Sequence, residues 1–265
     1  MKRNILTVPI HQVSEGTDTP AQDLVAVEEP LQIRLAGRDI AITMRTPGRD
    51  WELAAGFLLT EGILQHASQI SGITADDEGA LNVRLADGVQ IDSERLARNF
   101  YVTSSCGVCG KASIDALRAA GCPALPHDCP VIDARILPGL PRKLREAQAV
   151  FEHTGGLHAA GLFDASGKLL GLREDVGRHN AVDKLVGSAF LEDRLPLGEH
   201  ILMLSGRVSF ELVQKALMAG IPIVAAVGAP SSLAVETALR FGMTLVGFLR
   251  GERFNVYAGQ SRLRM

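Results

Sequence analysis

The sequence predicts an α/β protein, with a three-layer α/β main domain preceded by a small α+β N-terminal unit. Two observations carry that expectation. Beyond residue 150, strand-length apolar runs alternate with helical stripes, the order that builds a sheet covered by helices. Before residue 100, short alternating strands flank one helix. Between the two lies Ser104-Ser105-Cys106-Gly107-Val108-Cys109-Gly110-Lys111, a turn placed between a strand-like and a helix-like run.

Residues 1–24 are polar and mixed, with no period, and are expected to form a flexible arm. Residues 25–100 form the expected small α+β domain. Val25-Ala26-Val27 and Leu31 to Leu35 read as strands, and Gly37-Arg38 turns the chain into an antiparallel partner, Ile40 to Met44. Pro47-Gly48 breaks that run, and Asp50 is the expected N-cap of a helix carrying Ala54, Phe57 and Leu58 on one face. Two more strands are expected at Ile70 to Ile73 and Leu81 to Leu85.

Residues 101–265 form the expected main domain with the cysteine loop. The proline-dense segment from Gly121 to Pro141 is a crossing loop, followed by a helix from about Arg142 to Phe151. Val182, Leu185, Val186, Ala189 and Phe190 recur at the helical interval. Ile201 to Leu204, Ile221 to Val227 and Thr244 to Leu249 are buried-strand runs, and Phe254 to Tyr257 closes the sheet. Helices are expected between them, one with Phe210, Val213 and Leu217 on one side and a Glu211–Lys215 pair one turn apart, another over Leu233 to Phe241.

Composition narrows the function classes. Hydrophobic residues make up 46% of the chain, ample for a packed core, and the net charge of -3 argues against bulk attraction to nucleic acid or an acidic membrane. The apolar runs are too short or too interrupted to span a bilayer. Four cysteines, two of them in one C-x-x-C, do not form a secreted disulfide framework. A cytoplasmic protein is expected.

The chemistry concentrates in four places. Cys106 and Cys109 sit at the expected start of a helix, where unpaired N–H groups and the dipole favour a thiolate, with Lys111 beside them and Gly107 and Gly110 loosening the turn. Thr154 to Ala160 is too glycine-rich for a helix interior. Arg173 to Lys184 is a dense polar cluster containing Arg178 and His179, and Asp175 and Asp183 within it suit either a ligand or a structural network. Two strand-to-helix turns, Ser205-Gly206-Arg207 and Gly228 to Ser232, lie where α/β sheets bind phosphates. Arg178, Arg207, Arg250 and Arg253 supply charge for such a ligand. A zinc site completed by Cys122 and Cys129 is the alternative for the thiols, although their spacing lacks a second tight knuckle. A zinc deaminase would need His-x-Glu upstream, which His11 and His66 do not provide.

As a set, these stretches resemble the formate dehydrogenase accessory sulfurtransferases, the FdhD family. The resemblance is carried by S-S-C-G-V-C-G-K at 104–111, T-G-G-L-H-A-A at 154–160, R-E-D-V-G-R-H-N-A-V-D-K at 173–184, S-G-R-V-S-F-E-L-V-Q-K-A at 205–216 and G-A-P-S-S-L-A-V at 228–235. It implies a cytidine-deaminase-like main domain, a homodimer, and a sulfurtransferase that accepts sulfane sulfur from a cysteine desulfurase as a cysteine persulfide. The sulfur would pass to the molybdenum bis-molybdopterin guanine dinucleotide cofactor, which GDP or GMP can mimic, to activate formate dehydrogenase. Cys106 would carry the persulfide with Cys109 as partner. Phe248, Leu249, Arg250, Gly251, Glu252 and Arg253 match the family's cofactor-binding segment. Ser205, Gly206, Arg207, Ser231, Ser232, Arg178 and His179 are the remaining cofactor-binding candidates, read from the residues themselves. Two rival readings are a thiol–disulfide oxidoreductase and a non-catalytic protein that holds a guanine dinucleotide cofactor.

Overall fold

The computed structural model describes residues 4–76, 79–91, 117, 121–125 and 130–265. Its first feature departs from expectation. The anticipated loose arm is an antiparallel ribbon of β1 (Ile5–Ser14) and β2 (Thr17–Ala26), with Ser14 opposite Thr17. Glu15 and Gly16 both have positive φ, 49° and 80°, as a two-residue turn matching the strand twist requires. Isoleucine and valine recur along β1 and threonine opens β2, and Pro9 and Pro20 are tolerated because a two-stranded ribbon is all edge. Both faces are largely exposed, so no apolar alternation betrays the ribbon in the sequence.

The next unit is a four-stranded sheet in the order β4-β3-β6-β5. It contains β3 (Glu29–Leu35), β4 (Arg38–Arg45), β5 (Ile70–Ala75) and β6 (Leu81–Leu85). Leu31, Ile33 and Leu35 alternate inward on β3 and pack beneath α1 (Asp50–Thr60). Asp50 is the first helical residue and not the cap. Arg49 holds the cap position in a left-handed conformation, and the Asp50 carboxylate instead accepts from Nε and Nη2 of the buried Arg45, both at 3.0 Å.

The main sheet has six strands in the order β13-β12-β11-β10-β8-β9. These are β8 (His158–Phe163), β9 (Leu169–Asp175), β10 (Ile201–Leu204), β11 (Ile223–Ala226), β12 (Thr244–Arg250) and β13 (Arg253–Ala258). β10, β11 and β12 run parallel, and the flanking pairs are antiparallel. A two-residue strand, β7 (Ile132–Asp133), pairs separately with β14 (Leu263–Arg264). Both faces of the main sheet are covered. Leu202, Leu204, Val224 and Ala226 join one apolar cluster, whereas Ile201, Met203, Ile223 and Ala225 join another with Leu137, Leu140 and Leu144.

The helix expected over 142–151 is two helices, α2 (Leu140–Glu146) and α3 (Ala149–Thr154). They part at Gln148, whose ψ of 84° is not helical. The side of the sheet facing the N-terminal unit carries α4 (Arg178–Leu191), α5 (Phe210–Met218) and α6 (Ser232–Arg240). The expected stripe on α4 is buried, and so is every other residue from Asn180 to Phe190, which makes α4 a central element. One apolar cluster runs from Leu31 through α1 and α4 to Ala258, so the N-terminal unit and the main sheet share a core.

α1 and α4 meet backbone to backbone. A methyl group built on Gly56 would lie 1.9 Å from the Asp183 carbonyl oxygen, and one on Gly187 would lie 1.8 Å from that of Glu52. Charged groups lock the same crossing. Lys215 of α5 donates to Asp183 at 2.9 Å, to the Thr60 hydroxyl at 3.0 Å and to Glu61 at 3.1 Å, which replaces its expected pairing with Glu211. Burial pushes the Asp183 carboxyl up to about 6 against the pull of Lys215. At Lys215 burial acts the other way, yet Asp183 and Glu61 outweigh it and hold the ammonium charged to higher pH than a free lysine. The pair is ionised at neutral pH.

Candidate functional site

The parallel strands β10, β11 and β12 deliver their carboxyl ends to one edge of the sheet, and antiparallel β8 begins there. Each strand leaves through a turn, and main-chain hydrogen bonds lace the turns together. Gly228 N donates to Gly206 O at 3.0 Å, Val208 N to Ala229 O at 3.0 Å, and Phe248 N to Gly228 O at 3.0 Å. This is possible because Gly228 has no side chain: a methyl there would sit 2.8 Å from Gly206 O and 2.9 Å from Arg207 Cα. The segments 205–207, 228–232 and 248–253, far apart in sequence, therefore form one continuous surface.

Their side chains divide into holders and presenters. The Ser205 hydroxyl accepts from Ala159 N at 2.9 Å, and that of Ser231 caps α6 by accepting from Ala234 N at 3.2 Å. Leu249, a candidate contact, is fully buried in the second apolar cluster, because an alternating strand turns it inward; it anchors the hairpin and does not present a contact. Arg207, Ser232, Phe248, Arg250, Gly251, Glu252 and Arg253 are exposed. Phe248 adopts a positive φ of 52° and remains 42% exposed, an apolar ring held outward at the end of a buried strand.

Arg178 and His179 open α4 beside these turns. His179 Nε2 lies 3.2 Å from the Ser209 hydroxyl and 3.9 Å from Glu211, next to the start of α5. Arg178 Nε is buried without a hydrogen-bond partner among the described residues. His158, at the start of β8, places Nδ1 close to Gly206. Burial, then the Arg178 charge, lowers the His158 pKa, partly offset by Asp175. Burial likewise takes His179 down to about 4, helped by Arg178 and Lys215 and opposed by Glu211 and Glu61. Both imidazoles are neutral at physiological pH, available as donors or acceptors while Arg178 supplies the charge.

The depressed His179 value is checked by NMR titration of the imidazole, with a midpoint expected near 4. Arg178→Met should move it upward, because a nearby positive charge is removed. Its contribution to stability is present above the ordinary value of 6.5 and is lost as pH falls through about 4.

The two carboxylates left open between ligand and structural roles are structural. Asp175, fully buried, pairs with Lys184 at 2.7 Å and accepts from Thr46 N, Gly177 N and Asn180 Nδ2. Asn180 in turn donates to Met44 O at 2.8 Å. The motif 173–184 is thus largely a rivet between β4 and α4, with only its Arg178-His179 portion at the sheet edge. Asp183 belongs to the α1–α4–α5 lock.

Cys106 and Cys109 lie outside the described residues, as does Cys129. Cys122 is half-buried against the core, and burial raises its thiol to about 11, which keeps it protonated and unreactive. Among the described residues, no three His, Cys, Asp or Glu side chains converge as metal ligands. None of the described helices is long and apolar enough to cross a membrane.

The sequence profile of the FdhD/NarQ family matches residues 26–264. The chain belongs to the FdhD/NarQ family. Its FdhD relatives include the sulfur carrier protein FdhD of Streptomyces avermitilis, 52% identical over 264 residues that cover 96% of this chain and 94% of the relative. The sulfur carrier protein FdhD of Mycobacterium tuberculosis is 51% identical over 253 residues, covering 91% and 92%. That of Sulfolobus acidocaldarius is 45% identical over 259 residues and covers 98% of both chains. A crystal structure from Desulfotalea psychrophila, described as a formate dehydrogenase accessory protein, superposes with a TM-score of 0.79 at 27% identity, covering 99% of this chain and 100% of that one.

The FdhD-type edge also holds residues that sequence reasoning passed over. Arg145, Gln148 and Phe151 border it from the break between α2 and α3. A helix break of this kind carries no motif, and Gln148 is an ordinary helix former, so the sequence shows one helix where the structure has two.

Proposed function

We propose that the protein is a sulfur carrier that loads Cys106 with sulfane sulfur and delivers it to the molybdenum bis-molybdopterin guanine dinucleotide cofactor destined for formate dehydrogenase. The observation that carries this reading is the similarity, over nearly the whole chain, to relatives named sulfur carrier protein FdhD. In the loading step the Cys106 thiolate attacks the terminal sulfur of a cysteine desulfurase persulfide. A new sulfur–sulfur bond forms at Cys106, the old one breaks, and the desulfurase cysteine leaves as thiolate. Cys109, three residues further along the sequence, is the partner thiol.

The acceptor carries two pyrophosphates and two guanines, and the sheet edge has the chemistry to receive them. Arg207, Arg250, Arg253 and Arg178 offer charge, the turns before α5 and α6 offer helix N-termini, and Phe248 offers a face for a flat ring. Gly206, Gly251, Glu252, Ser205, Ser231, Ser232 and His179 complete the surface, with Leu249 anchoring it from below. This reading includes a cytidine-deaminase-like main domain, a homodimer and a cytoplasmic location.

Intact-mass measurement after incubation with a cysteine desulfurase and cysteine tests it. The wild-type protein should gain one sulfur atom, and Cys106→Ala should gain none. Absence of any gain on the wild type would sink the sulfur-carrier reading. Arg207→Ala should weaken GDP binding about tenfold, as loss of one charge-assisted hydrogen bond does, and leave loading intact. Unchanged GDP affinity would move the nucleotide away from these turns.

A further inference from the structure

Beside the laced turns, on the side of α2 and α3, lies a groove of about 650 Å³ that the reading above leaves unused. That volume suits a small organic ligand. Leu144, Arg145, Gln148, Phe151, His158 and Ser205 are among its walls, so it adjoins the cofactor surface through Ser205.

Gln148 is its unusual member. The residue is 4% exposed, and its side-chain nitrogen is buried with no hydrogen-bond partner among the described residues. The main chain around it is satisfied: Gln148 N donates to Arg145 O, and Glu152 N donates to Gln148 O. The segment is also fixed, because the Glu174 carboxylate accepts from Val150 N at 3.1 Å and from Phe151 N at 2.9 Å. An amide buried without a partner is a standing cost that a bound group with complementary polarity removes. Opposite in character, the Arg145 guanidinium lies 3.8 Å from the centre of the Phe151 ring, forming a flat cationic and aromatic wall. His158, also on the groove wall, has its pKa lowered by burial and by the Arg178 charge, which favours the neutral imidazole.

We propose that this groove binds the lactam edge of a fused pyrimidine heterocycle, with the Gln148 carboxamide reading its adjacent N–H and carbonyl and the Arg145–Phe151 pair stacking on its face. A carboxamide presents one donor and one acceptor side by side, complementary to a ring N–H next to a C=O. Guanine and pterin both have that edge. The inference rests on the cofactor reading above and deepens it: the turns take the guanine nucleotide, which leaves the groove to the pterin.

The test is a fluorescence titration with pterin-6-carboxylate and a parallel calorimetric titration with GMP, on the full-length protein. Gln148→Leu should weaken pterin binding about tenfold, leave GMP binding unchanged, and leave the melting temperature unchanged or raised, since a partnerless amide is removed. A structural glutamine would behave oppositely, losing stability on substitution. Arg145→Ala should weaken pterin binding as well. A tenfold loss confined to GMP would place the guanine in the groove and overturn its assignment to the pterin. Absence of pterin and GMP binding, or binding of both unaffected by Gln148→Leu, overturns the proposal. If persulfide loading on Cys106 persists in that case, the sulfur-carrier reading survives; if loading is absent from the wild type, that reading fails independently.

Discussion

Gly187→Ala is expected to destabilise the protein by about 3 kcal/mol, lowering the thermal midpoint by roughly 6–12 °C for a chain of this size. Alanine is the better helix former by about 1 kcal/mol, so local propensity predicts the opposite sign. Packing decides the outcome. The added methyl would sit 1.8 Å from the Glu52 carbonyl oxygen and 2.7 Å from Gly56 N, both backbone atoms with no rotamer to yield. α1 and α4 must separate, which loosens the largest apolar cluster and lengthens the bonds that Thr60 and Lys215 make to Asp183. Gly56→Ala should behave alike. Gly139→Ala, where a methyl meets nothing within 4 Å, is the control and should shift the midpoint little. Differential scanning calorimetry checks all three; an unchanged midpoint in Gly187→Ala would mean that the helices do not approach so closely.

Lys215→Met is expected to cost more, about 3–5 kcal/mol, because it leaves the buried Asp183 without its cation. The loss should depend on pH in a stated direction. With Lys215 gone, burial acts on Asp183 less opposed, and its carboxyl rises above the wild-type value of about 6. A group whose folded value exceeds its unfolded one, here 3.8, contributes stability that is present below the unfolded value and lost as pH rises through the folded one. Urea midpoints of the variant should therefore recover towards wild type as the pH is lowered towards about 6. A gap from wild type that widens on acidification would contradict the assignment of Asp183 as the stranded charge.

The main sheet was legible in the sequence for a definite reason. Ile201 to Leu204 and Ile223 to Ala226 are buried on both faces, so they appear as unbroken apolar runs between turn residues. The stripe on α4 was equally plain, although its other faces proved buried too. The turns at 205–207 and 228–232 could be placed at helix N-termini from their strand–turn–helix order alone. That 248–253 joins them depends on β11 and β12 being neighbours, a fact of topology that no local pattern carries.

The misses have physical causes as well. β1 and β2 bury little, so they lack the alternation that marks a strand, and Glu15-Gly16 is a less familiar form of the turn that joins them. Lys215 had a carboxylate one turn away on its own helix, but Asp183 and Glu61, brought in by α4 and α1, compete better from inside the core. Gly56 and Gly187 read as weak points of two helices until the other backbone is placed against each. Leu249 was grouped with its exposed neighbours because the resemblance treats 248–253 as one segment, while the strand's alternation sends that side chain the other way.

The lacing of Gly206, Gly228 and Phe248 through their main chains has a consequence for variation. Since amide and carbonyl groups hold the rim together, its outward-facing side chains are relieved of structural duty. Arg207, Ser232, Arg250 and Arg253 can therefore be exchanged while the scaffold stays intact, a separation of recognition from stability that suits this edge to redesign.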